Sequence, residues 1–306
     1  MKGLIRTLAG DIKPSEVNYA LTHEHGFLGV RRYKAAEVAK FTPAIERRLA
    51  SEFRKLLKQG VNVFVDVTPR GLGRRSALML LSSERAGMHI VGSTGYYSED
   101  STPAKLRKAS VSRLAKIFYS ELTEGMDGLK SKAGIIKLGA QQYEPSRVEK
   151  KHFLAGAEAH KQTGAPITTH APRGPLAQFT LLKEAGVAPE RIALGHVEVS
   201  AWVDIMKCVR AGAMLCFTNF GGEEILPEDM MIAQIAGIVR RGFVRHIMIS
   251  VDMSVRIKNG RLVYRWPGGY TQIVDRVIPK LAQAGLKPSH IETILHRNPI
   301  RHLAWR

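Results

Sequence analysis

Cysteine is nearly absent: Cys208 and Cys216 are the only two in 306 residues, and neither lies in a Cys-x-x-Cys pair. A disulfide framework is excluded, and the two thiols read as ordinary buried groups in a reducing compartment, so the cytoplasm is the expected location. Long apolar runs are missing as well. No stretch approaches the ~20 apolar residues that span a bilayer, and Met1–Gly10 has no continuous apolar segment, so neither a membrane span nor a secretory leader is expected. No Pro/Gly/Ser-rich linker, charge block or low-complexity tract cuts the chain, and one domain over residues 1–306 is expected. Acidic residues are few beside basic ones, 27 against 46, for a net charge of +19. Such a balance suits a polyanion, but the bases are spread over most of the expected helices (Arg47, Lys105, Lys150, Arg240) rather than gathered into one arm. A solvated basic surface follows, with no specific nucleic-acid partner.

What is present is an alternation. Apolar, β-prone runs such as Val61–Thr68, Met88–Ser93, Ala133–Leu138 and residues 165–170, 191–196, 213–218 and 245–252 alternate with segments of helical spacing. The expected helices include Pro43–Gln59, Pro103–Glu124, 146–162, 174–186, 200–211, 228–241 and Tyr270–Ala284. With Leu21–His25 as the first strand the count is eight, which is the sequence form of a (β/α)8 TIM barrel; a doubly wound sheet is the alternative. Near the C-terminus, Ser289 and Glu292 have capping-box spacing, and a last helix over Ile291–Leu295 is expected to end near Asn298-Pro299.

The strand ends carry the chemistry. His23 and His25 are spaced i, i+2 in Leu21-Thr22-His23-Glu24-His25, which puts both on one face of an extended strand. Later apolar runs close on Lys137, His170, His196 and Asp252. In a barrel of parallel strands these ends ring one mouth, where enzymes of that architecture place their active sites. Imidazoles with a carboxylate suit zinc, manganese, cobalt or iron, and no thiolate is part of the set. Lys137 is the misfit. An ammonium buried beside cations suffers desolvation and repulsion together, so its pKa should fall, and the neutral amine can take up carbon dioxide as a carbamate.

With these residues in view, the chain resembles the phosphotriesterase family of the amidohydrolase superfamily over nearly its whole length. The resemblance rests on Leu21–His25, Val65–Arg74, Gly92–Tyr97, Ile136-Lys137, Thr169-His170, Gly195-His196, Ser250–Asp252 and Asn298-Pro299. It implies two divalent ions, usually zinc, one on His23, His25 and Asp252 and the other on His170 and His196. Carboxylated Lys137 and a hydroxide would bridge them. The implied reaction is hydrolysis of a lactone, carboxylic ester or phosphate ester, and a homodimer is expected. Two positions depart from the pattern: Phe217-Thr218-Asn219 stands where relatives often have Asp after Phe, and Arg75 stands where an acid is common. Both bear on specificity.

Around the ligands several roles stay open. Tyr97 is either a packing residue or a donor to the substrate carbonyl, Glu198 a proton relay or a solvated loop acid, and Asp66 an orienting group. Glu24 is expected to be structural. Arg256–Gly269 reads as a loop over the mouth whose Arg256, Lys258, Arg261 and Arg265 can anchor a remote phosphate, with Trp266 beside them. Three functions are therefore weighed: a metal-dependent lactonase or esterase, a hydrolase of phosphorylated sugar lactones or aryl phosphotriesters, and an inactive barrel binding nucleic acid through its charge.

Overall fold

The computed structural model describes residues 3–28 and 35–305; residues 1, 2, 29–34 and 306 of the expected domain lie outside these. An N-terminal hairpin, β1 (Ile5–Thr7) and β2 (Gly10–Ile12), precedes the barrel. Eight parallel strands follow in the spatial order of the chain: β3 (Tyr19–Glu24), β4 (Val61–Asp66), β5 (His89–Gly95), β6 (Ile135–Gly139), β7 (Ile167–His170), β8 (Ile192–Gly195), β9 (Met214–Phe217) and β10 (Ile247–Ile249). Helices α1 (Ala35–Lys58), α2 (Ser76–Ala86), α3 (Ala104–Arg107), α4 (Val111–Thr123), α5 (Arg147–Thr163), α6 (Pro175–Glu184), α7 (Trp202–Arg210), α8 (Glu228–Arg240) and α9 (Ile278–Gln283) lie between and after them. The chain thus forms a (β/α)8 barrel, as its alternation implies.

Each strand buries both faces. On β4, Phe64 packs outward under the helices, while Val63 and Val65 join Ala20, Val91 and Ile135 in the barrel interior. The seam between β3 and β10 is closed largely by side chains. The Glu24 carboxylate accepts from the backbone N–H of Val251 at 2.7 Å and of Met253 at 2.8 Å, and Ser250 Oγ accepts from His23 N at 2.9 Å. Glu24 therefore has the structural role expected of it, and fixes the strand end that carries Asp252 against the one that carries the two histidines. After the barrel, β11 (Val255–Lys258) and β12 (Arg261–Tyr264) form an antiparallel hairpin where a loop was expected, turning at Asn259-Gly260, both with positive φ.

Element ends differ from expectation where a local signal was overlooked. Helix α1 starts at least as early as Ala35 and holds Pro43 inside it rather than at its start; the Thr42 hydroxyl donates to Val38 O at 3.0 Å there. The segment 103–124 is two helices, because Ser110 caps α4 by accepting from Arg113 N. Ser289 and Glu292 form no capping box: Pro288 occupies the first turn of α10 (Pro288–Glu292), so Lys287 is the cap. The helix also passes through Asn298-Pro299 into α11 (Asn298–Leu303). A π-type turn over Thr293–Arg297, in which Asn298 N–H donates to Thr293 O, leads into it, with the proline in the first turn of α11. Asn298 Nδ2 donates to Val244 O and Ile247 O, tying this helix to the base of β10.

Candidate metal centre

Six strand-end side chains converge inside the barrel mouth. His23, His25, Lys137, His196 and Asp252 are buried and His170 is half-buried. Ligand atoms of His23, His25 and Asp252 all lie within 4.8 Å of one another. The His23 and His196 rings are 4.8 Å apart between centroids, and His170 and His196 4.2 Å. Lys137 Nζ lies 3.0 Å from His23 Nε2 and 3.4 Å from Thr169 O.

Local backbone geometry aims these groups. On β3, alternation from Ala20 and Thr22 would turn His23 outward, and an irregularity in pairing between Leu21 and Glu24 re-aims it. His196 and Asp252 have φ of 63° and 54°, a left-handed conformation costing roughly 1–3 kcal/mol at a residue other than glycine. Gly95, with φ of 105°, lies against β6. A Cβ there would meet Lys137 O at 2.0 Å, so only glycine lets the chain pass the lysine strand.

Burial sets the charge states. It is the largest cause of the lowered pKa of Lys137, which falls from an ordinary 10.5 to about 7 while Asp252 and Cys216 oppose the shift. Burial, followed by neighbouring cationic groups, also lowers His23 and His170, and His196 falls to about 3 with Asp252 opposing. For Asp252 burial raises the pKa, but Arg265 and His25 more than offset it, and the carboxyl stays well below its usual range. Neutral imidazoles, an anionic carboxylate and an amine near neutrality are metal-binding forms.

A cation fits this set. Asp252 Oδ1 is buried without a hydrogen-bond partner, although His25 Nε2 is only 3.2 Å away, and His23 Nδ1 is equally orphaned. His25 Nδ1 instead meets the Thr68 hydroxyl at 2.7 Å. If that nitrogen carries the proton, the Nε2 lone pair faces the carboxylate, an arrangement that a divalent ion satisfies and a hydrogen bond does not.

The remaining candidates fall at different places. Tyr97 lies at the centre: its ring is tilted on His170 and its hydroxyl is 2.9 Å from His170 Nε2. Arg265 reaches Asp252 Oδ2 and also donates to Asp252 O at 3.2 Å, with its guanidinium 4.5 Å from the Trp266 ring centroid. Arg256 is half-buried and donates to Ser254 Oγ, whereas Lys258 and Arg261 are exposed and paired at the hairpin tip. Glu198 is not a solvated loop acid: it is buried, and burial pushes its carboxyl up to about 7. Thr68 and Thr218, whose hydroxyls lie 2.7 Å from His25 Nδ1 and His196 Nδ1, were not singled out from the sequence. Their signal was position, since Thr68 is two residues after Asp66 and Thr218 ends the seventh barrel strand.

A TIM barrel whose strand ends gather four imidazoles, a carboxylate and a low-pKa lysine defines a metal-dependent hydrolase acting on a small molecule. The profile of the phosphotriesterase family matches residues 3–303, and the chain belongs to that family. It is 30% identical over 285 residues to the phosphotriesterase homology protein of Escherichia coli, covering 92% of this chain and 96% of that one. It is 28% identical to an aryldialkylphosphatase of Saccharolobus solfataricus, covering 94% and 95%. An N-acetyltaurine hydrolase of Rattus norvegicus is 25% identical, covering 100% and 99%. The crystal structure of the Escherichia coli protein, with phosphate in its active site, superposes with a TM-score of 0.82 over 95% of this chain and all of the other. An organophosphorus hydrolase from Deinococcus radiodurans shares the fold, with a TM-score of 0.91 at 24% identity over 98% and 97% of the two chains.

Proposed function

We propose that the chain hydrolyses lactones or carboxylic esters with two divalent ions, zinc foremost and manganese, cobalt or iron as alternatives. His23, His25 and Asp252 would hold one, His170 and His196 the other, and Lys137 would serve both as its carbamate. The observation that carries this is the convergence of all six groups, with Lys137 poised near 7 rather than 10.5. A neutral amine nitrogen bonds to the carbon of carbon dioxide and releases one proton, which replaces a poor ligand with two anionic oxygens. When bound, the ions supply a water of lowered pKa and polarise the scissile carbonyl.

The residues do the rest. Asp252, held ionised, accepts a proton as the nucleophile adds, when that proton becomes acidic. Tyr97 offers its hydroxyl at the mouth to the substrate carbonyl, and Trp266 supplies an apolar wall. A second reading, a substrate that also carries an anionic group, is favoured by Arg265. Its guanidinium lies at the centre on Asp252, whereas Arg256, Lys258 and Arg261 are secondary contributors along the hairpin. We further propose a homodimer, checked by sedimentation, and the reducing cytoplasm, in keeping with two free buried cysteines.

The test is a hydrolysis screen of metal-loaded protein over acyl lactones, phosphorylated sugar lactones, aryl phosphotriesters and N-acetyltaurine. Preference for unphosphorylated lactones supports the first reading, and preference for phosphorylated or sulfonated substrates the second. No turnover of any of them by protein carrying its metal would refute both.

A further inference from the structure

The two histidines placed in different metal positions, His25 and His196, are supported in the same way by unrelated pieces of chain. Thr68 Oγ1 is 2.7 Å from His25 Nδ1 and 2.5 Å from Asp66 Oδ1. Thr218 Oγ1 is 2.7 Å from His196 Nδ1 and 3.2 Å from Glu198 Oε1. All four supporting groups are buried, with relative exposures of 5% or less. In the first case the carboxylate and the threonine are neighbours at the end of β4. In the second, Glu198 comes from the turn after β8 and Thr218 from the end of β9.

We infer that Thr68 and Thr218 are positioning residues, each passing the negative charge of a buried carboxylate to one imidazole and thereby fixing its tautomer for metal binding. This rests on the two-ion reading above. A threonine hydroxyl has one proton and two lone pairs, and an ionised carboxylate only accepts. The Thr68 proton therefore goes to Asp66, and its oxygen must accept from His25 Nδ1–H. Nε2 is left as a bare lone pair, and it is this atom that faces Asp252 at 3.2 Å. Asp66 Oδ1 is held for the task by Thr68 N at 3.1 Å.

The same logic holds at His196. Glu198 is ringed by donors: Thr218 N, Asn219 N at 3.0 Å and Asn219 Nδ2 at 2.5 Å, besides the Thr218 hydroxyl. Gln234 Nε2 anchors Glu198 O from α8. Glu198 Oε1 accepts from all four of these Thr218 and Asn219 donors and so carries no proton itself; the Thr218 proton points to it, which leaves the Thr218 lone pair for His196 Nδ1–H, with Asn219 Nδ2 at a longer 3.4 Å from that nitrogen. Metal-bound imidazoles commonly donate their second N–H directly to a carboxylate or carbonyl. Here a hydroxyl is interposed at both positions, which keeps the carboxylates out of the metal centre while preserving their orienting effect. The departure at Phe217-Thr218-Asn219 thus concerns the support of a histidine as well as specificity.

The test has two parts, both on the full chain. In metal-free protein at pH above 8, nitrogen NMR of isotopically labelled histidine should show His25 and His196 as the Nδ1–H tautomer; Nε2–H at either overturns its relay. Protein loaded with cadmium should then give one cadmium resonance per ion. Thr68→Val should shift one resonance and weaken that ion by ~10–100-fold, and Thr218→Val should do the same to the other ion only. Thr68→Ser and Thr218→Ser should restore each. Both resonances moving together in each single variant, no change in either, or serine performing no better than valine would overturn the inference. If a valine variant does not fold, Asp66→Asn or Glu198→Gln must shift that same single resonance, and a silent result counts against it. Wild-type protein that retains no cadmium yet shows both Nδ1–H tautomers would overturn the two-ion reading while leaving the relays in place.

Discussion

Replacing Lys137 by methionine should make the metal-free protein more stable at low pH and unable to load metal. The structure supplies the magnitude. Lys137 is 1% exposed, and its pKa is about 7 in the fold against 10.5 ordinarily. Since the folded value is the lower one, the unfolded chain binds the extra proton between them, and wild-type stability rises with pH across that window. Below pH 7 both states are protonated and the desolvation cost is fully present, about 5 kcal/mol at most for a shift of roughly 3.5 units. Above about 10.5 it is gone. Methionine is close in volume and carries no charge, so the variant minus wild-type difference should be largest at pH 6 to 7. It should then shrink by ~1.4 kcal/mol per pH unit toward pH 10. Urea unfolding of both proteins after chelator treatment, from pH 6 to 10, measures this difference, in which titrations common to both cancel. A difference that does not vary with pH, or a variant less stable than wild type at pH 6, would refute the reasoning. The same cost explains why a lysine is tolerated here only for a task that needs it.

Other outcomes follow from the geometry. Asp252→Asn keeps shape and one oxygen, so metal should remain while kcat falls by ~10²-fold or more; near-normal kcat from pH 6 to 9 would show that the proton leaves by another route. Arg265→Ala should raise KM for an anionic substrate by roughly tenfold or more and alter that of a neutral analogue little, the loss of one charge-assisted contact. Lys258→Ala and Arg261→Ala, at the exposed tip, should change either KM less than Arg265→Ala does, and steady-state kinetics on matched substrates decides it. Gly95→Ala should destabilise by more than 1 kcal/mol, since it combines a 2.0 Å approach to Lys137 O with a φ of 105°, and a melting temperature within a degree of wild type would contradict this.

The barrel was legible because parallel strands buried on both faces give continuous apolar runs, and because five of the eight runs close on a ligand-type residue, His25, Lys137, His170, His196 or Asp252, that has no reason to be there except a common mouth. His23, Lys137 and Asp252 could be picked out in this way. The pairing irregularity that turns His23 inward could not, since it depends on the neighbouring strand rather than on the residues themselves. Thr68 and Thr218 were equally hidden. A threonine at a strand end is ordinary, and its meaning appears only when the fold sets it 2.7 Å from a histidine. The four basic residues of the 256–265 stretch looked like one anchor, but a hairpin sends Lys258 and Arg261 to its tip and leaves Arg265 on Asp252. Helix ends went astray where one residue decides, as Ser110 does for α4 and Pro288 does for α10.

Under the proposed function, six strand-end residues hold two ions that together make the chain a hydrolase. The most direct measurement strips the protein with chelator and restores zinc, manganese or cobalt stepwise, with bicarbonate present. Bound metal is determined by elemental analysis and lactone hydrolysis is followed at each step. About two ions per chain should bind, because four imidazoles, a carboxylate and a lysine exceed the three protein ligands of a single catalytic zinc. Activity should appear mainly as the second ion binds. Well under one ion per chain, with no gain of activity on adding any of the three metals, would contradict the account.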